Sequence, residues 1–513
     1  MSNKEIVWND KLDSVWNKTY LSLDNNVHKT ITQREEYRKS MIKNDSSLTN
    51  DEKKFLLDEL LKIYDFYKIG DNSVEKQRCD NCQNWYQATQ YCEFCIRKYL
   101  KNNFRNWTSG NEEIDKLIQE CQQKTVSPQC VIEWINYYQF EDIEHLTEGG
   151  CATIYTATWK VGSYDKWNSE KQILERFGRE KVILKRLNNS NSSNVHWFQE
   201  VMLSFTIDNT SQLLVVFYGL TKDPSTNDYM LVLLRYDDDL RHFLKNNYHS
   251  LTLIKKYRII YDITRCLKKI HEQNIMHGDL HSGNILYSAY TSQWCISDLG
   301  LSGPIDKPFN SIYGNLPYIA PEVYCGQTYT PKSDIYSVGI LMWEVITGET
   351  PYGEHEHDTD LAFAIVSGYR PTIYENIPLE YATLMKQCWD ANPGNRPDTI
   401  VLEEKMRSLI KSLYEEMDKQ RKQSKNLKTK IKNFFKSSST KNEDKQIIKN
   451  TQSKENKGNE IYEIQTSKVY TFNFLIQPRN STDEEQQAFD SSQFDFEISE
   501  EMEQQYLKSI GNG

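Results

Sequence analysis

Apolar residues recur at helical spacing within the first 70 positions of the chain. Between positions 50 and 67 they fall three or four residues apart, which places them on one face of an α-helix. These positions are Leu56, Leu60, Ile63, Tyr64 and Tyr67. Thr49 and Glu52 have the residue types and the spacing of an N-terminal capping box, and Gly70 can end the helix. We therefore expect residues 1–70 to form a helical N-terminal extension.

The hydrophobic pattern changes farther along the chain. Residues 99–135 show helices interrupted around Trp107 to Gly110. From about residue 140 the sequence contains short β-branched runs typical of strands, namely ATIYTATW, KVILKRL, LLVVFYGL and MLVLLRY. From about residue 250 the runs LIKKYRIIYDITRCLKKIHEQ and SDIYSVGILMWEVIT predict helices. Strands followed by helices indicate an α+β fold, in which a small β-rich lobe is stacked on a larger helical lobe.

The composition adds solvated segments to this core. Of the 513 residues 38% are apolar and the mean hydropathy is −0.72, so we expect one substantial core and long polar segments. Residues 437–513 are rich in Ser, Asn, Lys, Glu and Gln, which predicts a mostly disordered tail. The first residues lack the apolar stretch of a secretory signal, and no apolar run is long enough for a membrane span. These features predict a cytoplasmic location and leave access to the nucleus open.

The net charge of −10 argues against a dedicated nucleic-acid binder, although Lys419 to Lys436 is a basic run. A basic run that ends in Phe434 and Phe435 can contact an acidic membrane surface or RNA. A solvated basic helical linker over residues 413–436 is the simpler interpretation.

Four of the 11 cysteines form a compact cluster. Cys79, Cys82, Cys92 and Cys95 follow the pattern C-x2-C-x9-C-x2-C. Two such pairs can present four thiolates tetrahedrally to a structural Zn²⁺ ion. Four ordinary reduced thiols are the alternative. The sequence therefore predicts a paired-cysteine module, with a helical linker, over residues 71–135.

Several residues between positions 146 and 200 are of the types that hold ATP during phosphoryl transfer. This reaction needs bound phosphates, Mg²⁺ and an oriented hydroxyl. In LTEGGCATIY, Gly149 and Gly150 let the backbone approach phosphate oxygens, although Gly-Gly between strands is more often a plain hairpin. Lys185 lies in the apolar run VILKRL, where a buried ammonium needs a partner such as Glu200. A lysine that extends to solvent is the alternative.

The segment HGDLHSGNIL, residues 277–286, adds the groups for the reaction itself. Asp279 can orient a substrate hydroxyl or accept its proton. Asn284 offers an amide oxygen and Asp298 offers a carboxylate, and such oxygen ligands suit Mg²⁺. Each of these residues alone is more often a turn residue. Their order along the chain, after Lys185 and Glu200, indicates one shared site.

Five motifs together resemble the protein kinase family over residues 140–412. They are HGDLHSGNIL, SDLG, YIAPE, SDIYSVGILMWEV and CWDANPGNRP. Trp343 and the last motif are similar to the tyrosine-kinase-like branch of serine/threonine kinases. The paired cysteines and the stretch NWTSGN resemble kinase-like proteins that are expanded in some fungi. The resemblance implies a bilobal serine/threonine protein kinase that uses ATP and Mg²⁺ and acts on protein substrates in signalling.

The resemblance also implies roles for individual residues. Lys185 corresponds to the strand lysine that holds the ATP phosphates, and Glu200 to its partner on a helix. Asp279 corresponds to the catalytic base. Asn284 and Asp298 match the two metal-binding positions.

Further positions are implied around the nucleotide and below the site. The nucleotide pocket would be formed by Leu146, Gly149, Gly150, Ile154, the gatekeeper Leu234 and the hinge residues Arg235 and Tyr236. Glu322 is expected to pair with Arg396, and Asp334 to cap the backbone of the loop that carries Asp279.

Several positions depart from the family pattern. Gly278 replaces the arginine that binds a phosphorylated activation segment, so we expect such phosphorylation not to be required. His281 replaces a lysine, which either lowers turnover or only changes packing on the loop. Thr147 and Ala152 replace glycines of the phosphate loop, and neither blocks ATP. Asn315 replaces a common threonine, but no tyrosine-kinase run is present, so we favour serine/threonine specificity.

The kinase-like residues therefore favour an enzyme of five parts. These are a helical extension over 1–70, the cysteine module and linker over 71–135, the kinase domain over 140–412, the basic linker over 413–436 and the tail over 437–513. One alternative is a pseudokinase scaffold that binds partners through the kinase fold and the cysteine module. Another is nucleic-acid binding through the cysteine module and the basic run.

Overall fold

The computed structural model describes residues 6–148, 152–188, 190, 214–289, 291–298, 312–436, 467–470, 474 and 476–490. Gly149, Gly150 and Glu200, which we expect at the nucleotide site, lie outside the described residues. Among the helices of the described ranges, none has both the length and the apolar content that crossing a bilayer demands.

Three helices form the N-terminal extension: Asp10–Leu21, Ile31–Asn44 and Asn50–Lys68. The capping box of the third helix is confirmed, because Thr49 Oγ1 accepts from the Glu52 N–H and Glu52 Oε2 accepts from the Thr49 N–H. Gly70 follows the helix with a φ of +87°, which glycine adopts without steric cost. Leu56 and Leu60 are fully buried in the core between the three helices.

The extension packs directly on the larger helical lobe. Lys255 Nζ lies 2.7 Å from Asp10 Oδ1. Arg407 donates hydrogen bonds to the carbonyls of Tyr20 and Leu23 at 3.1 and 3.0 Å. These contacts join residues more than 200 positions apart in sequence.

The cysteine module contains an antiparallel ribbon of β1 (Gln77–Arg78) and β2 (Trp85–Tyr86), followed by the helix Glu93–Asn103. A 3-10 turn, Phe104–Asn106, separates this helix from Glu112–Lys124. The predicted interruption near Trp107 is therefore confirmed. The second helix is amphipathic, and its residues Ile114 and Ile118 are fully buried against the sheet of the smaller lobe.

Six strands form the sheet of the smaller lobe. They are β3 (Glu133–Trp134), β4 (Phe140–Glu148), β5 (Ala152–Trp159), β8 (Glu180–Leu187), β9 (Phe217–Lys222) and β10 (Tyr229–Leu234), in the spatial order β3-β9-β10-β8-β5-β4. β3 runs parallel to β9, and the other neighbours are antiparallel. A separate hairpin joins β6 (Tyr164–Asn168) to β7 (Ile173–Arg176). Lys185 lies on the interior strand β8, opposite Ile154 and Leu231.

The larger lobe is helical, which confirms the bilobal α+β fold. Its helices are Leu240–Asn247, Leu253–His271, Pro321–Tyr324, Pro331–Thr347, Thr359–Val366, Leu379–Cys388 and Thr399–Lys436. The helix Pro331–Thr347 is buried from Ser333 to its end and forms the centre of the main core. Three short strands, β11 (Asp238–Asp239), β12 (Ile285–Ser288) and β13 (Gln293–Ile296), form a small sheet beside the candidate site.

The C-terminal region contains ordered elements that composition does not predict. Thr399–Lys436 is one helix, so no break in secondary structure marks the expected boundary at 412. Within the tail, β15 (Lys468–Tyr470) pairs antiparallel with β14 (Ile312–Gly314), and Asp483–Asp490 is a helix. These residues are ordered exceptions within a tail that composition predicts to be mostly disordered. Backbone hydrogen bonds and a few buried aromatic side chains hold these residues in place. Neither can be recognised from the polar composition of the tail.

Candidate active site

Lys185 and Asp298 meet at the junction of the two lobes. The Lys185 side chain is buried, and its Nζ donates to Asp298 Oδ1 at 2.7 Å. This ammonium lowers the pKa of the Asp298 carboxyl to about 2, although burial acts in the opposite direction. Asp298 is therefore ionised at neutral pH, as a metal-binding carboxylate must be. Glu200, the expected partner of Lys185, lies outside the described residues.

The loop that carries Asp279 is held from below by the buried carboxylate of Asp334. The Asp334 oxygens accept hydrogen bonds from the backbone N–H groups of His277 and Gly278 at 2.9 and 3.0 Å. Asp334 Oδ2 also lies 2.8 Å from His271 Nε2. Burial opposes ionisation, but these hydrogen bonds keep the pKa of the Asp334 carboxyl below its usual value. The predicted cap on this backbone is confirmed, and the contact with His271 is an addition to it.

Gly278 has a backbone conformation suited to glycine. Its φ of +76° lies in the left-handed region, where a Cβ atom is sterically unfavourable. Gly278 therefore lets the loop adopt this conformation without strain. It has no side chain that could bind a phosphate.

The side chains of Asn284 and His277 form hydrogen bonds with the backbone of Asp279. Asn284 Nδ2 donates to the Asp279 carbonyl at 2.9 Å, which fixes the amide plane and leaves the amide oxygen for a cation. His277 is fully buried and accepts from the Asp279 N–H through Nδ1 at 3.3 Å. Its Nε2 donates to the Ser297 carbonyl at 2.8 Å. His277 thereby links the loop of Asp279 to the residue that precedes Asp298.

The Asp279 carboxylate contacts a hydroxyl group. Ser467 Oγ donates to it and lies 2.8 Å from each of its oxygens. His281 Nε2 lies 3.2 Å from the same Oγ. Because His281 Nδ1 accepts from the Gly283 N–H at 3.1 Å, the neutral ring carries its proton on Nε2 and donates it to Ser467. His281 is thus placed at the hydroxyl that faces Asp279, while its effect on turnover stays a prediction.

Of the residues expected around the nucleotide, those that the structure describes lie in the smaller lobe and at its lower edge. Leu146 on β4 is exposed, Ile154 on β5 is opposite Lys185, and Leu234 ends β10. Tyr236 Oη accepts from the Val216 N–H at 3.3 Å, and burial raises the pKa of its phenol. The Tyr236 side chain is therefore directed into the protein, so only its backbone groups are left for an adenine ring.

A buried ion pair fastens the segment after β14 to the base of the larger lobe. Arg396 donates to the two oxygens of Glu322 at 2.8 and 2.7 Å, and both residues are at most 2% exposed. Ser333 Oγ donates to the same carboxylate at 2.9 Å. The predicted pairing of Glu322 with Arg396 is confirmed.

Comparison with known proteins agrees with this geometry. The family model described as "Protein tyrosine and serine/threonine kinase" matches residues 140–406, which is more than half of the chain. The chain belongs to this kinase family. Its kinase domain therefore carries Lys185, Asp279, Asn284 and Asp298 within the matched range.

Similar proteins come from Dictyostelium discoideum. One is named "Probable LIM domain-containing serine/threonine-protein kinase" and is 27% identical over 331 residues, covering 62% of this chain and 49% of that protein. The dual specificity protein kinase zakA is 32% identical over 191 residues, covering 33% and 24%. Stress-activated protein kinase alpha is 31% identical over 205 residues, covering 36% and 31%. The chain thus spans half or less of the length of these relatives.

The sequence predicts one shared site for Lys185 and Asp298, and their contact agrees with it, although Glu200 is the expected direct partner of the ammonium. Ser467 at Asp279 has no counterpart in the sequence predictions. A lone serine in a polar tail carries no signal of this position, although the short β-branched run KVYTF beside it is typical of a strand.

Proposed function

We propose that this protein is an ATP-dependent protein kinase that transfers the γ-phosphoryl group to serine or threonine hydroxyls of proteins, as part of signalling in the cytoplasm. The observation that carries the proposal is the approach of a serine hydroxyl to both oxygens of Asp279 at 2.8 Å. The names of the relatives support serine/threonine specificity. Trp343 and the motif CWDANPGNRP support placement in the tyrosine-kinase-like branch, and the likeness to fungal kinase-like proteins stays a prediction.

The donor set fits the groups that such a reaction uses. Asn284 offers a neutral amide oxygen and Asp298 an ionised carboxylate, which together suit a hard cation with open water positions. Asn284 and Asp298 would hold Mg²⁺, which would supply positive charge that offsets the charge of the phosphates. Lys185 supplies a further positive charge for the phosphates from the smaller lobe.

The remaining chemistry belongs to the loop of Asp279. Its carboxylate orients the acceptor hydroxyl and receives the proton as the oxygen attacks phosphorus. Asp334 and His277 hold the backbone of the loop, so the carboxylate keeps its place during the reaction. His281 donates to the acceptor oxygen, which orients that oxygen further.

The test is Mg²⁺-dependent transfer of labelled phosphate from ATP to a generic protein substrate. Asp279→Asn and Lys185→Met should each lower the rate by about 10²-fold or more, because each removes a charge at the reacting groups. Asp58→Asn, on an exposed face of the N-terminal extension, is the matched control and should match the wild type. Equal incorporation by wild type and Asp279→Asn would favour the pseudokinase scaffold instead. Phosphoamino acid analysis separates serine and threonine from tyrosine products.

We further infer that Cys79, Cys82, Cys92 and Cys95 bind a structural zinc ion. Their Sγ atoms all lie within 4.8 Å of one another, with 3.6 Å between Cys79 and Cys95 and 3.5 Å between Cys82 and Cys92. Tetrahedral coordination at a Zn–S distance of about 2.3 Å separates the sulfurs by roughly 3.8 Å. The four thiols are therefore already close to the arrangement that the ion requires.

Metal analysis of the purified chain tests this inference. We expect about one zinc per chain, and loss of the metal in Cys92→Ser. Cys121→Ser, which alters a cysteine outside the cluster, should keep the metal. A wild-type chain purified without chelator that holds no zinc and takes up none would contradict the inference.

A further inference from the structure

A segment of the tail enters the candidate active site as an added strand. β15 pairs antiparallel with β14, with Lys468 opposite Gly314, Val469 opposite Tyr313 and Tyr470 opposite Ile312. Backbone pairing of this kind fixes the register of an extended peptide without demands on its side chains. The register places Ser467, the residue before β15, at the loop of Asp279.

The contacts of Ser467 are those of a reacting hydroxyl rather than a packing contact. Its Oγ is 2.8 Å from each oxygen of the Asp279 carboxylate and 3.2 Å from His281 Nε2. The hydroxyl proton therefore points to the carboxylate, and the imidazole N–H donates to an oxygen lone pair. Gly314, opposite Lys468, has a φ of +151° and little room for a side chain, because a Cβ atom there would lie 3.0 Å from the side chain of Ile319.

A second set of contacts anchors the tail to the larger lobe beyond β15. Phe474 is buried, and its ring centroid lies 5.5 Å from that of Phe363. The Phe474 N–H donates to the Tyr324 carbonyl at 2.9 Å. Farther along, the Phe489 ring stacks on Tyr369 with the centroids 4.8 Å apart.

Polar contacts complete this anchor. Gln486 Nε2 donates to the Arg370 carbonyl at 2.5 Å, and Ser481 Oγ donates to the Gly368 carbonyl at 2.9 Å. The Ala391 N–H donates to Asn480 Oδ1 at 2.9 Å. The tail is therefore held on both sides of the residues between Tyr470 and Phe474, and Ser467 is presented from a fixed position.

We propose that Ser467 is a phosphorylation site modified by the chain's own catalytic centre, within the same molecule. The proposal rests on the proposed kinase function. Ser467 Oγ attacks the γ-phosphorus of ATP, and the bond from that phosphorus to the β,γ-bridging oxygen breaks. The hydroxyl proton passes to the Asp279 carboxylate, and ADP leaves with the electron pair of the broken bond. Every atom comes from ATP and Ser467.

The tether explains why the transfer is intramolecular. A segment of the same chain meets the site at an effective concentration on the order of millimolar, which exceeds ordinary protein concentrations. After transfer, a phosphate with a charge of about −2 lies beside the Asp279 carboxylate. Repulsion between these charges disfavours the bound strand, so the same modification clears the acceptor site for other proteins.

The experiment follows phosphate on Ser467 of the full-length chain. Phosphatase-treated protein is incubated with Mg²⁺ and ATP, and the modified peptide is quantified by mass spectrometry. We expect the Ser467 signal in wild type and, as phosphothreonine, in Ser467→Thr. It should be absent in Asp279→Asn, and no phosphate should map to this position in Ser467→Ala.

Three further measurements test the position and the route. The first-order rate should stay constant over an about hundred-fold dilution of the protein, as an intramolecular step requires. Phe489→Ala, far from the reacting groups, should slow Ser467 modification several-fold, because it loosens the anchor. Ser467→Ala enzyme mixed with Asp279→Asn protein should modify the second chain at less than about a tenth of the intramolecular rate.

The outcomes separate this proposal from the proposed function. If wild type labels the generic substrate but leaves Ser467 unmodified, the Ser467 assignment is overturned while the kinase function stands. A rate that rises in proportion to protein concentration overturns the intramolecular route. If neither the generic substrate nor Ser467 is labelled in an Asp279-dependent way, both proposals fall together.

Discussion

Replacing Glu322 by glutamine should destabilise the larger lobe by several kcal/mol. The substitution keeps the size of the side chain but removes its charge, which leaves the Arg396 guanidinium buried and without a counter-ion. Both partners are at most 2% exposed and are joined by two hydrogen bonds at 2.8 and 2.7 Å. Breaking such a buried pair on one side costs about 3–5 kcal/mol.

The assay is thermal and urea unfolding of the full chain, followed by circular dichroism. For a domain of this size, about 2–4 °C is lost per kcal/mol, so the melting temperature should fall by roughly 6–20 °C. Glu175→Gln is the matched control, because its pair with Lys166 is solvent-exposed on the lysine side. Pairs of that kind contribute about 0–1 kcal/mol.

The double variant Glu322→Gln with Arg396→Met removes both charges. It should recover part of the loss, because no charge is then left buried. If Glu322→Gln costs no more than Glu175→Gln, or if the double variant is the sum of its single changes, the pair does not stabilise the lobe in this way.

Three further predictions follow from buried groups and glycines of the larger lobe. Asp334→Asn replaces one acceptor oxygen by a donor below the loop that carries Asp279, so kcat/KM should fall about 10–100-fold in steady-state assays while the fold is retained. Burial raises the pKa of Glu344, so its contribution to stability is full at low pH and is lost as pH rises through the raised value. Glu344→Gln should therefore flatten the dependence of the unfolding free energy on pH in the range above the ordinary carboxyl pKa of 4.5, and an unchanged slope would contradict the assignment. Gly368→Ala places a Cβ atom 2.4 Å from the Ser481 nitrogen, so limited proteolysis should cleave the tail faster, whereas Gly110→Ala, also at positive φ but without a neighbour within 4 Å, should not change tail cleavage.

Much of the kinase domain could be predicted from the sequence because its motifs combine charged residues with a regular hydrophobic pattern. The pairing of Glu322 with Arg396 and the cap by Asp334 follow from the resemblance of YIAPE, SDIYSVGILMWEV and CWDANPGNRP to the kinase family. The strand that carries Lys185 is β-branched and apolar, which gives its place in the sheet. In these cases local pattern and tertiary contact agree.

The tail could not be predicted in the same way. β15 is three residues long and is held by backbone hydrogen bonds to β14, which any sequence without proline can form. The anchor depends on single aromatic residues, Phe474 and Phe489, spaced without helical or strand periodicity relative to one another. The boundary at 412 stays a prediction, since the helix Thr399–Lys436 continues through it and the residues on both sides are good helix formers.

The strand β3 and the helix Glu112–Lys124 define where a soluble fragment can begin. β3 covers the open edge of β9, with Glu133 beside Gly219, and the helix covers apolar side chains of the same sheet. A protein cut at position 140 would keep every residue of the family match. It would also expose an unpaired strand and a bare apolar face, which are the features that lead to aggregation. The smallest piece suitable for expression therefore starts well before the region that the family shares.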